Sequence, residues 1–313
     1  MEKLTVSPSP HIRSGAATSK IMLHVIIALM PALVVSAFLF GARALALTGV
    51  CILSAVVWEK LCNIIMKRPD TTHDLSAVVT GILLAFNLPP SLPYYMAVIG
   101  TFIAIVIVKQ IFGGLGQNFA NPAIVGRIVL MLSFTSAMTH WTMPSTMTDA
   151  VTSPTPLADT DKLYNYWDLF LGKCPGCLGE VCAAALIAGG IYLVVMKVIT
   201  VHAPVAFVAT VFVYSWLAGK DPVYQILSGG LMLGAIFMAT DYVTTPVSKK
   251  GKFIFGIGCG IITCVIRFYA SYPEGVSFSI LIMNIATPYI DMITLKKPVG
   301  AVPAKKEVQT HEK

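Results

Sequence analysis

A hydroxyl-rich segment, TDAVTSPTPL at residues 148–157, interrupts an otherwise apolar chain. Pro154 and Pro156 keep its backbone out of helical conformation, so we expect the hydroxyl of Thr155 to be presented outward. Two interpretations stay open at this point. The segment is either a solvated loop, or one of its hydroxyls is a chemical attachment point.

Thiol and metal chemistry have few candidates. Cys174 and Cys177, in KCPGC, have the spacing of a redox or metal-binding pair, but no second pair of this kind accompanies them. No two histidines show the i, i+4 spacing of a zinc site, and neither a Walker loop nor an HExxH motif occurs. The sequence therefore assigns no metal and no catalytic residue of the soluble hydrolase or nucleotidase type.

A second polar group lies beside glycine- and proline-rich apolar runs. Asn118 and Asn121 belong to GLGQNFANPAI, and Asp241 follows LSGGLMLGAIFMAT. Amides and a carboxylate suit a neutral ring with imide and hydroxyl groups, and the same oxygens suit a cation, so both ligands stay open. Ionisable groups at membrane depth usually serve function, whereas those near helix ends extend to the surface; the other candidates are Glu59, Arg127, Glu180 and Arg267.

The composition indicates a polytopic membrane protein. Of 313 residues, 56% are hydrophobic and 12% charged, whereas soluble domains have about 25% charged residues. The net charge of +7 comes from short basic clusters between apolar runs, which argues against nucleic-acid binding. About ten runs approach the roughly 20 residues of a membrane span, near 21–40, 44–66, 76–92, 95–112, 122–139, 179–197, 203–218, 225–240, 253–270 and 276–294.

Two features of these runs predict an internal repeat. The third and eighth runs are short and interrupted, as in broken helices around a binding site. NFANPAI (118–124) and NIATPYI (284–290) share the pattern Asn-apolar-Ala-polar-Pro-x-Ile. We therefore expect an all-α polytopic membrane protein, with about ten transmembrane helices in two inverted five-helix repeats that contain broken helices.

The distribution of lysine and arginine predicts the orientation. Basic residues cluster near 67–68 and 249–252, whereas aspartates dominate the long polar loop. This places Thr155 on the outer face and the N terminus in the cytoplasm. The expected organisation is a cytoplasmic N-terminal segment (1–20), a first membrane repeat (21–139), an extracytoplasmic loop (140–178), a second membrane repeat (179–294) and a cytoplasmic tail (295–313).

Several long motifs occur in an order that resembles one known family. They are SPSPHIRS near the start, KQIFGGLGQNFANPAIVGR (109–127), TSPTPL (152–157), PGCLGE (175–180), FMATDYVTTPVSKKGK (237–252) and IRFYASYPEGVSFSILIMNIATPYID (266–291). On these motifs the chain resembles the D subunit of the Rnf complexes, which are ion-translocating ferredoxin:NAD oxidoreductases. It is similar also to the related B subunit of the sodium-pumping NADH:quinone reductases.

The resemblance implies a flavoprotein of the plasma membrane. It implies FMN bound covalently through its phosphate to Thr155, attached by a flavin transferase, and riboflavin bound non-covalently near Asn118 and Asn121. Asp241 is a further candidate contact of this second flavin. Pro154 replaces the small residue that the family usually has before the modified threonine, which makes Thr152 the alternative acceptor.

The implied function is electron transfer inside a complex that couples ferredoxin and NAD chemistry to the movement of Na+ or H+. The implied partners are the other Rnf subunits, especially the flavinylated G subunit and the membrane subunits A and E. The chain is expected to act only as a subunit of this translocase, because no ferredoxin or nicotinamide site is visible. The alternative is a ten-helix solute or ion channel or transporter with inverted repeats and no redox role.

Overall fold

The computed structural model describes residues 17–144, 155–157, 164–270 and 274–295. Helices and turns account for nearly all of these residues, and the described ranges contain no β-strand longer than a single bridge residue. The all-helical architecture confirms the all-α class expected from the apolar runs, while the arrangement of ten helices in two inverted repeats stays a prediction.

Within the described residues, four helices are long and apolar enough to cross a membrane. They are α1 (Thr18–Phe40), α2 (Ala42–Ile65), α12 (Lys249–Tyr269) and α13 (Val276–Thr294). At 1.5 Å per residue, the 23 residues of α1 reach about 35 Å, which exceeds the ~30 Å hydrocarbon core of a bilayer. Gly41 alone separates α1 from α2, and its φ of 70° permits this tight turn.

The remaining helices are shorter, and five of them are apolar runs of 10–17 residues. These five are α3 (Ser76–Phe86), α4 (Tyr94–Phe102) with its π-helical continuation Ile103–Gln110, α5 (Pro122–Ser133), α8 (Ala183–Val195) and α9 (His202–Leu217). The other elements are a 3-10 turn (Thr72–Asp74), α6 (Thr135–Met138), α7 (Tyr166–Leu171), α10 (Pro222–Leu227) and α11 (Leu231–Leu233), which continues as a π-helix over Gly234–Met238.

The third and eighth apolar runs are interrupted, as their glycine and proline content predicts. Helix α3 stops at Phe86, and Asn87 follows with its Nδ2 donating to the carbonyl of Leu83 at 2.6 Å. In the eighth run, α10 and α11 are separated by the turn at 228–230, where Gly229 has a φ of +67°. Backbone groups inside a membrane need internal partners, so such breaks persist only where side chains or a cavity satisfy them.

Helices from the two halves of the chain pack against each other in the core. Helix α1 packs on α8, and α5 packs on α13. With its amide oriented to satisfy both groups, Asn284 accepts a hydrogen bond from the backbone N–H of Asn121 at 3.1 Å. Arg127, further along α5, reaches Glu274 just before α13. Helices α5 and α13 are therefore antiparallel neighbours, each meeting the chain that leads into the other.

Candidate functional sites

A cavity of about 100 Å³ lies between the N-terminal and C-terminal halves of the chain. Asn118, Asn121 and Asp241, the polar candidates selected from the sequence, all line it. Its wall is otherwise mostly apolar, with a few hydroxyls and one lysine; the main contributors are Ile21, Val25, Ser76, Val79, Thr80, Leu83, Lys109, Leu193, Phe237, Thr240 and Tyr242. We call it the amide cavity. An apolar wall with a few convergent polar groups is typical of a small-molecule site.

The two asparagines each have one end of the amide engaged by the backbone. Oδ1 of Asn121 accepts from the N–H of Ala123 at 3.1 Å and caps α5, with Pro122 at the first helical position. Nδ2 of Asn118 donates to the carbonyl of Ala120 at 3.0 Å. The Asn121 amide N–H₂ and the Asn118 carbonyl oxygen are the ends that local structure leaves for a ligand.

Asp241 is held by the turn that follows the second π-helix. Its Oδ2 accepts from the hydroxyl of Thr244 at 3.1 Å, and its Oδ1 accepts a long bond from the N–H of Val243 at 3.4 Å. These contacts fix the carboxylate at the rim of the break rather than in solvent. The sequence predicted this acid near the interface of the two halves, and the cavity lining agrees with that placement.

Lys109 is a cavity residue that sequence reasoning missed. The π-helix continues to Gln110, and the lysine is only 2% exposed. Its Nζ donates to Oε1 of Glu59 at 2.8 Å and to the hydroxyl of Ser76 at 2.7 Å. The available signal was the position of Lys109 inside the predicted run 95–112, because ionisable residues within a membrane span usually have a role.

Glu59 is also buried, so the surface-seeking interpretation does not apply to it. Its Oε1 accepts from Lys109, from the Thr71 hydroxyl at 2.9 Å and from Gln110 at 3.3 Å. Its Oε2 has no hydrogen-bond partner among the described residues. A buried ion pair with one unsatisfied oxygen gives little net stability, since desolvation offsets its attraction.

A second polar cluster surrounds Arg127. Its Nη1 donates to Oδ1 of Asn87 at 2.6 Å and to Oε1 of Glu180 at 2.8 Å, and its Nη2 donates to Glu274. Arg127, Glu180 and Glu274 are all buried, so the charges of Arg127 and Glu180 do not extend to a membrane surface. Glu274 is another residue that sequence reasoning did not select, since it stands in the connection between two spans.

Cys177 belongs to the same cluster. Its Sγ donates to the carbonyl of Asn87 at 3.2 Å and accepts from Nη2 of Arg127 at 3.8 Å. The ligand atoms of Cys177, Glu180 and Glu274 lie within 4.8 Å of one another, close enough to hold a metal. The Arg127 guanidinium already donates to all three, however, and a positive group at that place opposes a metal cation.

The two cysteines of KCPGC are free thiols in buried positions. Burial raises the pKa of Cys174 to about 12 and that of Cys177 still further, because a thiolate loses its hydration there. Nearby Asp168 and Glu180 raise the pKa of Cys174 as well. This environment favours unreactive thiols over the thiolate that redox and metal chemistry need.

Thr155 lies beside the Arg127 cluster and not in solvent. It is 5% exposed and lines a cavity of about 10 Å³ with Glu180, Glu274 and Cys174. The expectation of an outward-facing hydroxyl is therefore wrong for this structure. The physical reason is that residues 155–157 pack against the connection at 174–181 and the turn at 227–229. Thr152, Pro154 and the rest of residues 145–154 lie outside the described residues.

Comparison with known proteins identifies relatives over nearly the full chain. The sequence model of the NQR2, RnfD, RnfE family matches residues 5–300. The chain is 48% identical to the D subunit of the Na(+)-translocating ferredoxin:NAD(+) oxidoreductase complex of Acetobacterium woodii, covering 98% of each chain. It is 44% identical to the D subunit of the proton-translocating complex of Clostridium ljungdahlii, over 93% of this chain and 94% of that one. Identity is 34% to the D subunit of the ion-translocating oxidoreductase complex of Mannheimia succiniciproducens, over 94% and 97%.

Proposed function

This chain belongs to the NQR2, RnfD, RnfE family, and from that premise we propose that it transfers electrons through a covalently bound FMN. It is a subunit of an ion-translocating ferredoxin:NAD+ oxidoreductase complex and works as part of that translocase. The observation that supports the covalent flavin most directly is Thr155 in the motif TSPTPL, a hydroxyl flanked by Pro154 and Pro156.

The chemistry of Thr155 fits an FMN phosphoester, and its surroundings limit where the flavin ring lies. A hydroxyl is the group that a phosphoester linkage needs, and Thr155 supplies it. The cavity of about 10 Å³ beside it has no room for a flavin, so the ring of an attached FMN lies outside this cavity. Bound FMN would supply one- and two-electron chemistry, and this chain would hold the FMN in position.

The polar groups of the amide cavity suit a second, non-covalent flavin such as riboflavin. The Asn121 N–H₂ and the Asn118 oxygen match the carbonyl and imide groups of an isoalloxazine edge, and Lys109 adds a cation. Apolar walls complement the ring faces. At about 100 Å³ the cavity is smaller than the ~300–1,000 Å³ of most ligand pockets, so binding requires lining side chains such as Leu115 and Tyr242 to move apart.

The antiparallel contact of α5 and α13 supports the inverted five-helix repeats expected from the sequence. In each half, a side chain of the last helix bonds to the connection that leads into the last helix of the other half: Arg127 to Glu274, and Asn284 to Asn121. Antiparallel neighbours from the two halves of the chain are what a two-fold axis in the membrane plane would produce.

The proposal includes placement and partners. The lysine distribution supports a cytoplasmic N terminus and an outer Thr155. The partners are the other Rnf subunits, especially the G subunit and the membrane subunits A and E, together with a flavin transferase. The relatives at 48% and 44% identity are named for Na+ and for protons respectively, so similarity does not choose the coupling ion.

Covalent fluorescence tests this function against a channel without flavin. The chain is coexpressed with a flavin transferase of the complex, denatured, and inspected for flavin fluorescence in the gel. We expect a fluorescent band that Thr155→Ala abolishes and that the matched Thr152→Ala variant retains. Mass spectrometry of the peptide bearing residues 149–157 should place the FMN increment on Thr155. A fluorescent Thr155→Ala chain would move the site, and a non-fluorescent native chain would contradict the flavin function.

A further inference from the structure

Residues 155–157 form a short docked segment. Thr155 and Pro156 are buried, and Leu157 is partly buried. The three residues line one cavity with side chains from the 174–181 connection, the turn at 227–229 and Glu274. A segment of three residues is therefore held by groups from three different parts of the chain.

Leu157 holds this segment in place by packing against Gly229, where the absence of a side chain leaves room for it (we call this contact the seat of Leu157). A Cβ at Gly229 would lie 2.6 Å from Cδ1 of Leu157 and 3.7 Å from its Cγ. Any larger residue would thus fill the space that Leu157 occupies. Gly229 also has a φ of +67°, which side-chain-bearing residues adopt only with strain. Position 229 therefore requires glycine for two reasons, the close approach of Leu157 and the positive φ.

The docked state leaves no room for a modified threonine. The free volume beside Thr155 is about 10 Å³, which is close to the minimum of ~10–15 Å³ that one water molecule needs. A phosphate group alone has five heavy atoms, and FMN adds a ribityl chain and a three-ring system. An FMN ester on Thr155 and the docked segment therefore exclude each other.

We propose that residues 155–157 alternate between this docked state and an undocked state, that only the undocked state is modified, and that flavinylation prevents redocking. Leu157 is the positioning residue that sets the balance. The proposal rests on Thr155 being the FMN acceptor. In the reaction, the Thr155 oxygen forms a bond to the FMN phosphorus of FAD, the bond between the two FAD phosphates breaks, AMP leaves, and the hydroxyl proton passes to solvent.

A reversible lock tests this directly. Leu157→Cys and Gly229→Cys are introduced together into a Cys174→Ala chain, because Cys174 lines the same cavity and would compete for a disulfide. A Cβ at position 229 would lie 3.7 Å from the Cγ position of Leu157, so the two introduced thiols are placed as neighbours in the docked state. The purified unmodified protein, in detergent, is incubated with FAD and the flavin transferase, oxidised or reduced. The readout is covalent fluorescence, with the disulfide confirmed by peptide mass.

We expect the oxidised double variant to acquire flavin many-fold more slowly than the same protein after reduction. The matched single variants Leu157→Cys and Gly229→Cys, in the same background, should be modified at rates that reductant does not change. Both should exceed the rate of the Cys174→Ala reference, because each weakens the seat of Leu157. Equal rates for the locked and reduced double variant would overturn the two-state proposal. Absence of flavin from the reference chain itself would instead overturn Thr155 as the acceptor.

A second readout detects undocking after modification. In the single variant Leu157→Cys, a membrane-impermeant maleimide should label position 157 slowly before flavinylation and many-fold faster after it. The matched Thr155→Ala/Leu157→Cys chain cannot be modified and should keep its initial labelling rate after the same treatment. Equal labelling of the introduced cysteine before and after flavinylation would contradict the exclusion of the modified segment from its cavity.

Discussion

Nζ of Lys109 lies 2.8 Å from Oε1 of Glu59, and the two side chains are 2% and 1% exposed. The pair comes from α2 and from the π-helix that ends at Gln110, and its lysine lines the amide cavity. The pair is electrically neutral overall, and it places a cation in the lining that also contains Asn118 and Asn121. Because burial removes both charges from water, each is stabilised by the opposite charge of the other.

Removing only one member of this pair should destabilise the protein. Lys109→Met leaves the Glu59 carboxylate without its counter-charge, which typically costs about 3–5 kcal/mol for a buried pair. The double variant Lys109→Met/Glu59→Gln removes both charges and should recover most of the loss. Thermal unfolding of the detergent-solubilised protein measures this. Equal loss in the single and double variants would show that packing, not charge, decides the stability here.

The Arg127 cluster should be sensitive to one methyl group at Gly230. A Cβ at this position would lie 2.4 Å from Oε1 of Glu180, the oxygen that Arg127 binds. Gly230→Ala should therefore disturb the ion pair between Arg127 and Glu180. Because breaking the geometry of a buried polar network destabilises a protein, the melting temperature should fall by several degrees. Gly49→Ala is the matched control, because nothing lies within 4 Å of its Cβ position. A harmless Gly230→Ala would contradict the tight fit.

Binding of the second flavin should depend on the amide of Asn121 and not on its role as a helix cap. Asn121→Asp keeps an oxygen that can cap α5 but removes the N–H₂ group that faces the ligand. We expect the folded yield to persist and the extractable flavin to fall. The covalent flavin of the same sample serves as the internal reference.

Asn121→Leu adds a steric test of the same cavity. It removes the cap, which costs about 1 kcal/mol, and places an apolar side chain among the lining residues. Extractable flavin should be lost almost completely. Full retention of extractable flavin in both variants would reduce Asn121 to a packing role.

The orientation can be measured by cysteine accessibility. On a background without cysteines, a membrane-impermeant maleimide applied to intact cells should label Asp161→Cys and should spare Lys250→Cys. The reason is the basic cluster at 249–252, which the positive-inside rule keeps in the cytoplasm. Lysed cells provide the control, since both positions should then react. The reverse pattern in intact cells would overturn the topology.

Cys174 should react slowly and in a pH-dependent way. Alkylation proceeds through the thiolate, and with a pKa of about 12 only about one thiol in 10⁴ is ionised at pH 8. In the folded protein, labelling of Cys174 should therefore rise about tenfold per pH unit between pH 7 and 9, provided the fold persists. The denatured, unreduced chain should be labelled completely. Rapid labelling at pH 7, or a blocked thiol after denaturation, would contradict a buried free cysteine.

Much of the helical framework was predictable because it depends on local composition. Runs of about 20 apolar residues form helices in a membrane, where the backbone must satisfy its own hydrogen bonds. The predicted run at 21–40 corresponds to Thr18–Phe40, and the run at 276–294 to Val276–Thr294. The interrupted third run was also predictable, since Pro89 and Pro90 cannot continue a helix.

Asn118, Asn121 and Asp241 could be selected from sequence as well, because polar residues beside broken apolar runs are costly unless they have a role. Their common place at the amide cavity agrees with that selection. The ligand of the cavity and the FMN on Thr155 came from family resemblance and stay predictions. No spacing of residues by itself distinguishes a flavin from another ring with similar hydrogen-bonding groups.

Which charges meet inside the membrane was decided only by the tertiary structure. Glu59 and Lys109 are 50 residues apart, and Arg127 and Glu274 are 147 apart. No local pattern records such pairs, because they form when separate helices pack. The burial of Thr155 belongs to the same class. The flanking prolines predicted a non-helical backbone at Thr155. Where that backbone lies depends on the packing of Leu157 against Gly229, which is a contact between distant segments of the chain.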